Sequence, residues 1–254
     1  MTEGALGSIA GFTVERFSTL DSTQNVVRTR LSEGRSDHVV VAGEQTQGRG
    51  RRGRIWSSPP GNLYASIGFG ARPPARQIGM HALLAGVAVR DTLVAMVPDQ
   101  HRVTLKWPND LLIGGAKCAG LLLETERGAG SPDVILGVGL NVATKPETAR
   151  YPVTCLADLC PTPVSVAPIL SGLLADLRRR LDQVDNRGWR SIREAWLEGA
   201  DRLGQPVSLD LGTGIVTGLF TGLADDGAMV LETSRGRQTV HAGEVLRVEP
   251  RSAA

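Results

Sequence analysis

The chain has 254 residues, 41% of them hydrophobic, enough to bury the core of one large domain, or of a large domain with a small companion. Its 28 basic residues stand against 26 acidic, a net charge of +2, but four arginines (Arg49, Arg51, Arg52 and Arg54) crowd into one short stretch, and without them the balance is 24 against 26. The positive charge is a spot, not the face that a nucleic-acid-binding surface would need, and no stretch approaches the ~18 apolar residues of a membrane span. There is no secretory start, so a cytoplasmic protein is expected.

The first residues, 1–11, are small and polar and read as a loose start. Ser22 or Thr23 is placed to cap a helix running to about Glu33, with Gly34 as its stop. A β-branched run over 38–43 predicts a buried strand. Residues 44–62 are turn-rich and basic, a loop of the length that is usually functional or disordered. Alternation over 62–69 predicts a strand, and the apolar spacing over 76–96 a helix. Four strand-like segments then follow closely, at 103–106, 111–113, 117–124 and 134–142. Such close succession favours an antiparallel or mixed sheet over a doubly wound one, so the fold class is α+β, a mixed and mostly antiparallel sheet with helices packed on it.

Val166, Ile169, Leu170, Leu173, Leu174, Leu177 and Leu181 fit one face of a helix, and a second helix covers about 188–199. After Gly204 the pattern changes to short strands at 207–211, 215–223, 229–233 and 238–241, with Asp226-Gly227 as a hairpin turn. The tail is long enough for a small antiparallel barrel. The expected domains are 1–203 and 204–254.

The cysteines, Cys118, Cys155 and Cys160, form no CxxC pair and lie near no histidine cluster, so reduced thiols are expected and no metal held by the protein alone. Arginine outnumbers lysine 25 to 3, which singles out Lys106, Lys117 and Lys145 as candidate places for a compact ammonium in preference to a planar fork.

Four short segments carry chemistry. Gly48-Arg49-Gly50-Arg51-Arg52-Gly53-Arg54, followed by Ile55-Trp56, offers a backbone able to fold round a ligand and donors for carboxylate and phosphate oxygens; alone it also suits a nucleic-acid segment or a solvated loop. Lys106-Trp107-Pro108-Asn109-Asp110 is a rigid turn, which alone is an ordinary hairpin with a packed tryptophan. Lys117-Cys118-Ala119-Gly120 opens an apolar strand, where a lone lysine usually snorkels to water. Gly137-Val138-Gly139-Leu140-Asn141 ends another, without the helix a dinucleotide site requires.

Together, in this order and spacing, the four resemble the biotin protein ligase catalytic domain, whose pattern includes GRGRxGRxW, KWPND, a KxxG strand and GxGxN. The resemblance runs from about Ser22 to the C-terminus and is strongest over 43–142. It implies a class II synthetase-like biotin/lipoate ligase domain followed by a small SH3-like β-barrel. It also implies an ATP-dependent biotin–[biotin carboxyl-carrier protein] ligase, which makes biotinyl-5′-AMP and passes biotin to a lysine of the carrier domain of an acyl-CoA or pyruvate carboxylase. Biotin, ATP and Mg²⁺ are the implied small molecules, with the metal arriving with ATP near Asp110; neither DNA nor membrane is implied.

The same resemblance implies roles by position. Ser22, Thr23, Gln24 and Gln45 would meet the ureido ring, Arg49 the biotin carboxylate, and Gly50 and Arg51 the acyl-phosphate. Arg54 and Trp56 would close the nucleotide side, Lys117 would sit between carboxylate and α-phosphate, and Gly120 would let biotin lie against the strand. Asn109 and Asp110 would shape the nucleotide and magnesium region, and Asn141 would read adenine. Lys117, Arg49 and Arg51 are the expected catalytic residues. Where the family usually has Ser-Thr-Asn, this chain has Ser22-Thr23-Gln24 followed by Asn25. In the first turn of a helix, positions 24 and 25 point about 100° apart, so Gln24 is expected to face biotin and Asn25 to be a bystander.

Too few residues precede the region of resemblance for the helix-turn-helix domain of some members, so repressor activity is not expected. No edge or heptad pattern decides the oligomeric state, and a monomer is the default. A lipoate or octanoyl ligase of related fold, and a nucleic-acid-binding module using 48–54, are the rival readings.

Overall fold

The computed structural model describes residues 5–74, 77–128, 131–147 and 151–246. Strands β1 (Ala5–Ile9), β2 (Phe12–Leu20), β3 (His38–Gln45), β4 (Leu63–Gly70), β5 (Val103–Lys106), β6 (Asp110–Ile113), β7 (Ala116–Glu126) and β8 (Asp133–Leu140) form one sheet, in the order β1-β2-β3-β4-β8-β7-β6-β5. Every neighbouring pair is antiparallel except β2 and β3. A parallel pair needs a crossover, and helix α1 (Thr23–Ser32) supplies it.

Alternation along the central strands sorts side chains onto two faces. Val39 and Val41 of β3 and Val134, Leu136 and Val138 of β8 join the main core. That core is closed by α2 (Met80–Val94), α3 (Val166–Arg187) and α4 (Arg190–Glu198). Val40, Ala42 and Ile135 turn the other way and pack with Val27 and Leu31 of α1. Gly68 of β4 lets α1 press onto that face: a Cβ there would stand 2.6 Å from Val27 Cγ1. Because α1 is only ten residues long, it covers part of the face and leaves the β4–β8–β7 portion beyond its N-terminus open.

Several sequence expectations are corrected. The expected loose start is the edge strand β1, turned into β2 through Ala10 and Gly11, whose φ values of 50° and 81° suit a tight hairpin; residues 1–4 lie outside the described residues. Its five residues are too short and too small in side chain to announce a strand, and β2 provides the pairing. Ser22 occupies the cap position with extended backbone, yet its hydroxyl makes no cap hydrogen bond. The helix expected over 76–96 is α2, from Met80 to Val94, and residue 76 lies outside the described residues.

The C-terminal sheet has five strands, one more than expected: β9 (Pro206–Asp210), β10 (Ile215–Leu223), β11 (Met229–Thr233), β12 (Gly236–Val240) and β13 (Glu244–Leu246). It is antiparallel, of SH3-like kind, in the order β12-β11-β10-β9-β13. β13 is three residues long, too short for a periodic signal. Val207, Leu209, Phe220 and Leu231 join the same core as the large sheet, and Trp196 of α4 meets Phe220 edge-on at 6.4 Å between ring centroids. Among the described residues no helix is long and apolar enough to cross a membrane.

His81 on α2 is fully buried between Phe69 and Trp189. Its Nε2 accepts the Arg72 N–H at 3.0 Å while Nδ1 donates to the Ile78 carbonyl at 3.0 Å, so the neutral ring satisfies both neighbours and a protonated one would set two donors against each other. Burial lowers its pKa to about 4. Between pH 6.5 and 4 the unfolded chain takes up a proton that the folded chain refuses, so stability should fall as pH drops through this window, by roughly 3 kcal/mol in all. Urea titrations of the protein and of His81→Leu at pH 7 and pH 4.5 measure this. The two should differ in pH dependence by about that amount, and equal slopes would contradict it.

Candidate active site

The open part of the α1 face is a cleft lined by α1, β3, β4, β7, β8 and the arginine loop. Its floor is cleared by glycine: Gly137 and Gly139 alternate on β8, Gly120 lies opposite Gly139 on β7, and Leu122 opposite Gly137. The end nearest α1 is polar and tightly bonded. The Thr23 hydroxyl lies 2.7 Å from that of Ser66 on β4, and the Gln45 carbonyl accepts from the Thr23 N–H at 2.9 Å and hydroxyl at 3.1 Å. The Gln45 amide in turn donates to Ser58 at 3.1 Å. Gln24 also lines the cleft, only 4% exposed, and its Nε2 is buried with no hydrogen-bond partner.

The opposite end is electrostatic. Lys117, 12% exposed at its side chain, places Nζ 2.6 Å from Asp110 Oδ1. It lies between two rings, 5.3 Å from the Trp56 centroid and 5.4 Å from that of Tyr151. Trp56 rests on the glycine floor, where a Cβ at Gly139 would come within 2.5 Å of its ring and one at Gly120 within 2.9 Å. Its indole N–H is buried without a partner. Arg49, Arg51, Arg54 and Lys117 all line the cleft, against Asp110 as the one carboxylate among the lining residues.

Four arginines so close in sequence repel, and the fold offsets this by giving each a different acceptor. Arg49 Nη2 donates to Asn25 Oδ1 at 2.9 Å, and Arg51 Nη1 to Asn109 Oδ1 at 3.2 Å and the Gly243 carbonyl at 3.4 Å. Arg52 reaches the Asp210 carbonyl at 3.4 Å, and Arg54 pairs with Glu244 at 3.0 Å. Burial, then the neighbouring Arg52 and Arg54, lower the pKa of the Arg51 guanidinium from its ordinary value, whereas its hydrogen bond to Glu244 raises that of Arg54. The loop is pinned at its base by the Arg49–Ile55 bridge and left-handed Arg52 and Gly53 (φ 57° and 72°).

Ser22, Thr23, Gln24, Gln45, Arg49, Gly50, Arg51, Arg54, Trp56, Asn109, Asp110, Lys117 and Gly120 are therefore brought together. Asn141 is not among the lining residues: it is 5% exposed, and its amide donates to the Thr154 carbonyl at 3.0 Å. Asn109 does line the cleft, but its own amide is committed to the Leu121 carbonyl at 2.6 Å. Asn25 is no bystander, since it holds Arg49. Sequence reasoning missed Ser66, Ser58 and Tyr151; Ser66 is a lone polar position inside a buried strand, a signal that could have found it. Among the described residues no group of three or more His, Cys, Asp or Glu could hold a metal ion.

Residues 17–141 match the Biotin/lipoate A/B protein ligase family, and residues 203–248 the Biotin protein ligase C terminal domain. A biotin–[acetyl-CoA-carboxylase] ligase of Paracoccus denitrificans is 37% identical, over 89% of this chain and 97% of that protein. The chain belongs to the biotin protein ligases. Within that family, the bifunctional ligase/repressor BirA of Escherichia coli is 30% identical over 89% of this chain and 71% of its own length. The biotin protein ligase of Aquifex aeolicus, solved with biotin and ATP, superposes with a TM-score of 0.77 at 28% identity, covering 92% of this chain and 97% of that one.

Proposed function

We propose that the chain activates biotin with ATP as biotinyl-5′-AMP and transfers the biotinyl group to the ε-amine of a lysine on a biotin carrier domain of a carboxylase, in the cytoplasm. The observation that carries this reading is the polarity of the cleft: Lys117 beside Trp56 at the Gly120–Gly139 end of a glycine floor that three arginines also line, and a buried, unpartnered Gln24 amide at its Gly137 end. A ligand with a urea at its head and a carboxylate at its tail matches that polarity. The relatives from Paracoccus and Aquifex support the choice by the ligands and acceptor in their names.

In the first step a carboxylate oxygen attacks the α-phosphorus. The new C–O–P linkage forms as the α–β phosphoanhydride bond breaks, and pyrophosphate departs with its electron pair. Two anions must meet, so Lys117 sits where the carboxylate and α-phosphate converge, and Arg49 and Arg51 hold the two from either side. Asp110, with Asn109, would hold a Mg²⁺ arriving with the nucleotide, which when bound neutralises phosphate charge. The Arg/Gly loop and Trp56 cover the mixed anhydride and keep water from it. In the second step the acceptor amine attacks the acyl carbon, the acyl–oxygen bond breaks, AMP leaves and the amine loses a proton.

Exchange of labelled pyrophosphate into ATP tests the reading. Exchange dependent on biotin, and absent with lipoate or octanoate, is expected; exchange driven by lipoate instead would assign the chain to a different acyl ligase. At the urea end, Gln24→Ala removes a buried hydrogen-bonding group worth about 1–3 kcal/mol, so calorimetry should show biotin binding weakened roughly 5- to 150-fold. Unchanged affinity would take Gln24 out of the ring site.

A further inference from the structure

Gln24 and Asn25 are adjacent amides on the first turn of α1, and the fold gives them different surroundings. Gln24 turns into the cleft. Asn25 is not among the lining residues, and it bridges two others: its Nδ2 donates to Asp21 Oδ2 at 2.6 Å, and its Oδ1 accepts from Arg49 Nη2 at 2.9 Å. The other arginine near Oδ1, Arg28, is 3.4 Å away and committed to Glu124 and Glu126 of β7, each at 2.5 Å. The short contact to Asp21 fixes the amide's orientation, with the nitrogen towards the carboxylate and the oxygen towards Arg49.

A neutral acceptor is well suited to this place. A carboxylate against Arg49 would compete with an anionic substrate for the guanidinium. An amide oxygen fixes the guanidinium through one N–H, leaves its charge uncompensated, and leaves its other N–H groups for a ligand. We propose that Asn25 is a positioning residue for Arg49, holding that guanidinium, through the Asp21–Asn25–Arg49 chain, where it receives the substrate carboxylate. The inference rests on the biotin reading of the cleft. It assigns the two amides separate duties: Gln24 faces the head of the ligand, and Asn25 acts on its tail through Arg49.

The test compares binding of biotin and of biotinol, its alcohol analogue without the carboxylate, by calorimetry on the full chain. Asn25→Ala should weaken biotin roughly 10-fold while leaving biotinol and the melting temperature unchanged. Gln24→Ala should weaken both ligands. The exchange D21N/N25D keeps a donor facing an acceptor but sets a carboxylate against Arg49, and should therefore leave biotin binding at least as weak as in Asn25→Ala; normal biotin affinity in this variant would overturn the argument for a neutral acceptor. Asn25→Ala that binds biotin normally, or loses both ligands equally, overturns the inference while the proposed function stands. Wild-type protein that binds biotin and biotinol equally also overturns it, since Arg49 then reads no carboxylate. Wild-type protein that binds neither overturns the proposed function along with it.

Discussion

Lys117→Ala is expected to lower biotin-dependent pyrophosphate exchange by about 10²–10³, the loss typical of removing one donor aimed at developing charge. The effect should lie mainly in the chemical step. Lys117 opens β7, packed between the Trp56 and Tyr151 rings and paired with Asp110 at 2.6 Å, so its ammonium is held in place before any ligand arrives. Its removal also leaves Asp110 as an uncompensated carboxylate facing an incoming carboxylate and triphosphate, which adds repulsion to lost attraction. Lys117→Arg should be poor as well, because a planar fork does not fit the space between two rings that a point charge occupies. Circular dichroism and melting should show the fold intact, since the side chain belongs to neither core. Near-normal exchange by Lys117→Ala would remove it from the catalytic assignment.

The second large effect is expected at Gly48. A methyl group there would stand 2.4 Å from the Trp56 carbonyl oxygen and 2.5 Å from Ser58 Oγ. The Trp56 N–H also donates to the Gly48 carbonyl at 2.9 Å, and Ser58 ties Gln45 to the Trp56 carbonyl. Gly48→Ala therefore forces apart the neck of the arginine loop, moving Trp56 off the glycine floor and Gln45 away from Thr23. Misplacing reacting groups by about 1 Å can lower a rate some 10²-fold, and a loss of that order is expected in adenylate formation. Gly53 provides the control. It is left-handed at φ 72° with open space around its Cβ position, so Gly53→Asn, which tolerates that backbone, should stay within a few-fold of normal. Equal activities for the two variants would show that the neck is not what holds the loop.

The four segments carrying chemistry were legible because their residues are neighbours in sequence as well as in space: the arginines and Trp56 share a loop, and Lys117 and Gly120 share a strand. The sheet was legible in outline because the alternation along β3 and β8 is strong. What escaped depends on distance along the chain. Ser66 joins the cleft only because β4 runs beside β3, bringing it to Thr23 across 43 positions. Tyr151 reaches Lys117 because Lys117 pairs with Val153 in an isolated bridge. Asn141 is a different case: its motif pointed to the ligand, whereas the fold commits its amide to the Thr154 carbonyl. Asn25 was discounted from helical angle alone, and that argument correctly turned it from the cleft while saying nothing of the loop that arrives from residue 49.

The docking of Arg51, Arg52 and Arg54 on Gly243, Asp210 and Glu244 bears on how freely the parts of this enzyme can be recombined. The C-terminal barrel also receives the Trp107 indole N–H on its Gly227 carbonyl at 3.1 Å, so two separate segments of the candidate site contact it. A barrel grafted from a relative would have to reproduce those backbone carbonyls and that carboxylate in register, beyond merely closing the hydrophobic seam around Trp196 and Phe220. The two halves are thus bound to change together: a substitution in the β9 or β13 ends is a substitution beside the arginine loop, and the barrel is inherited with the candidate site and not as an interchangeable appendage.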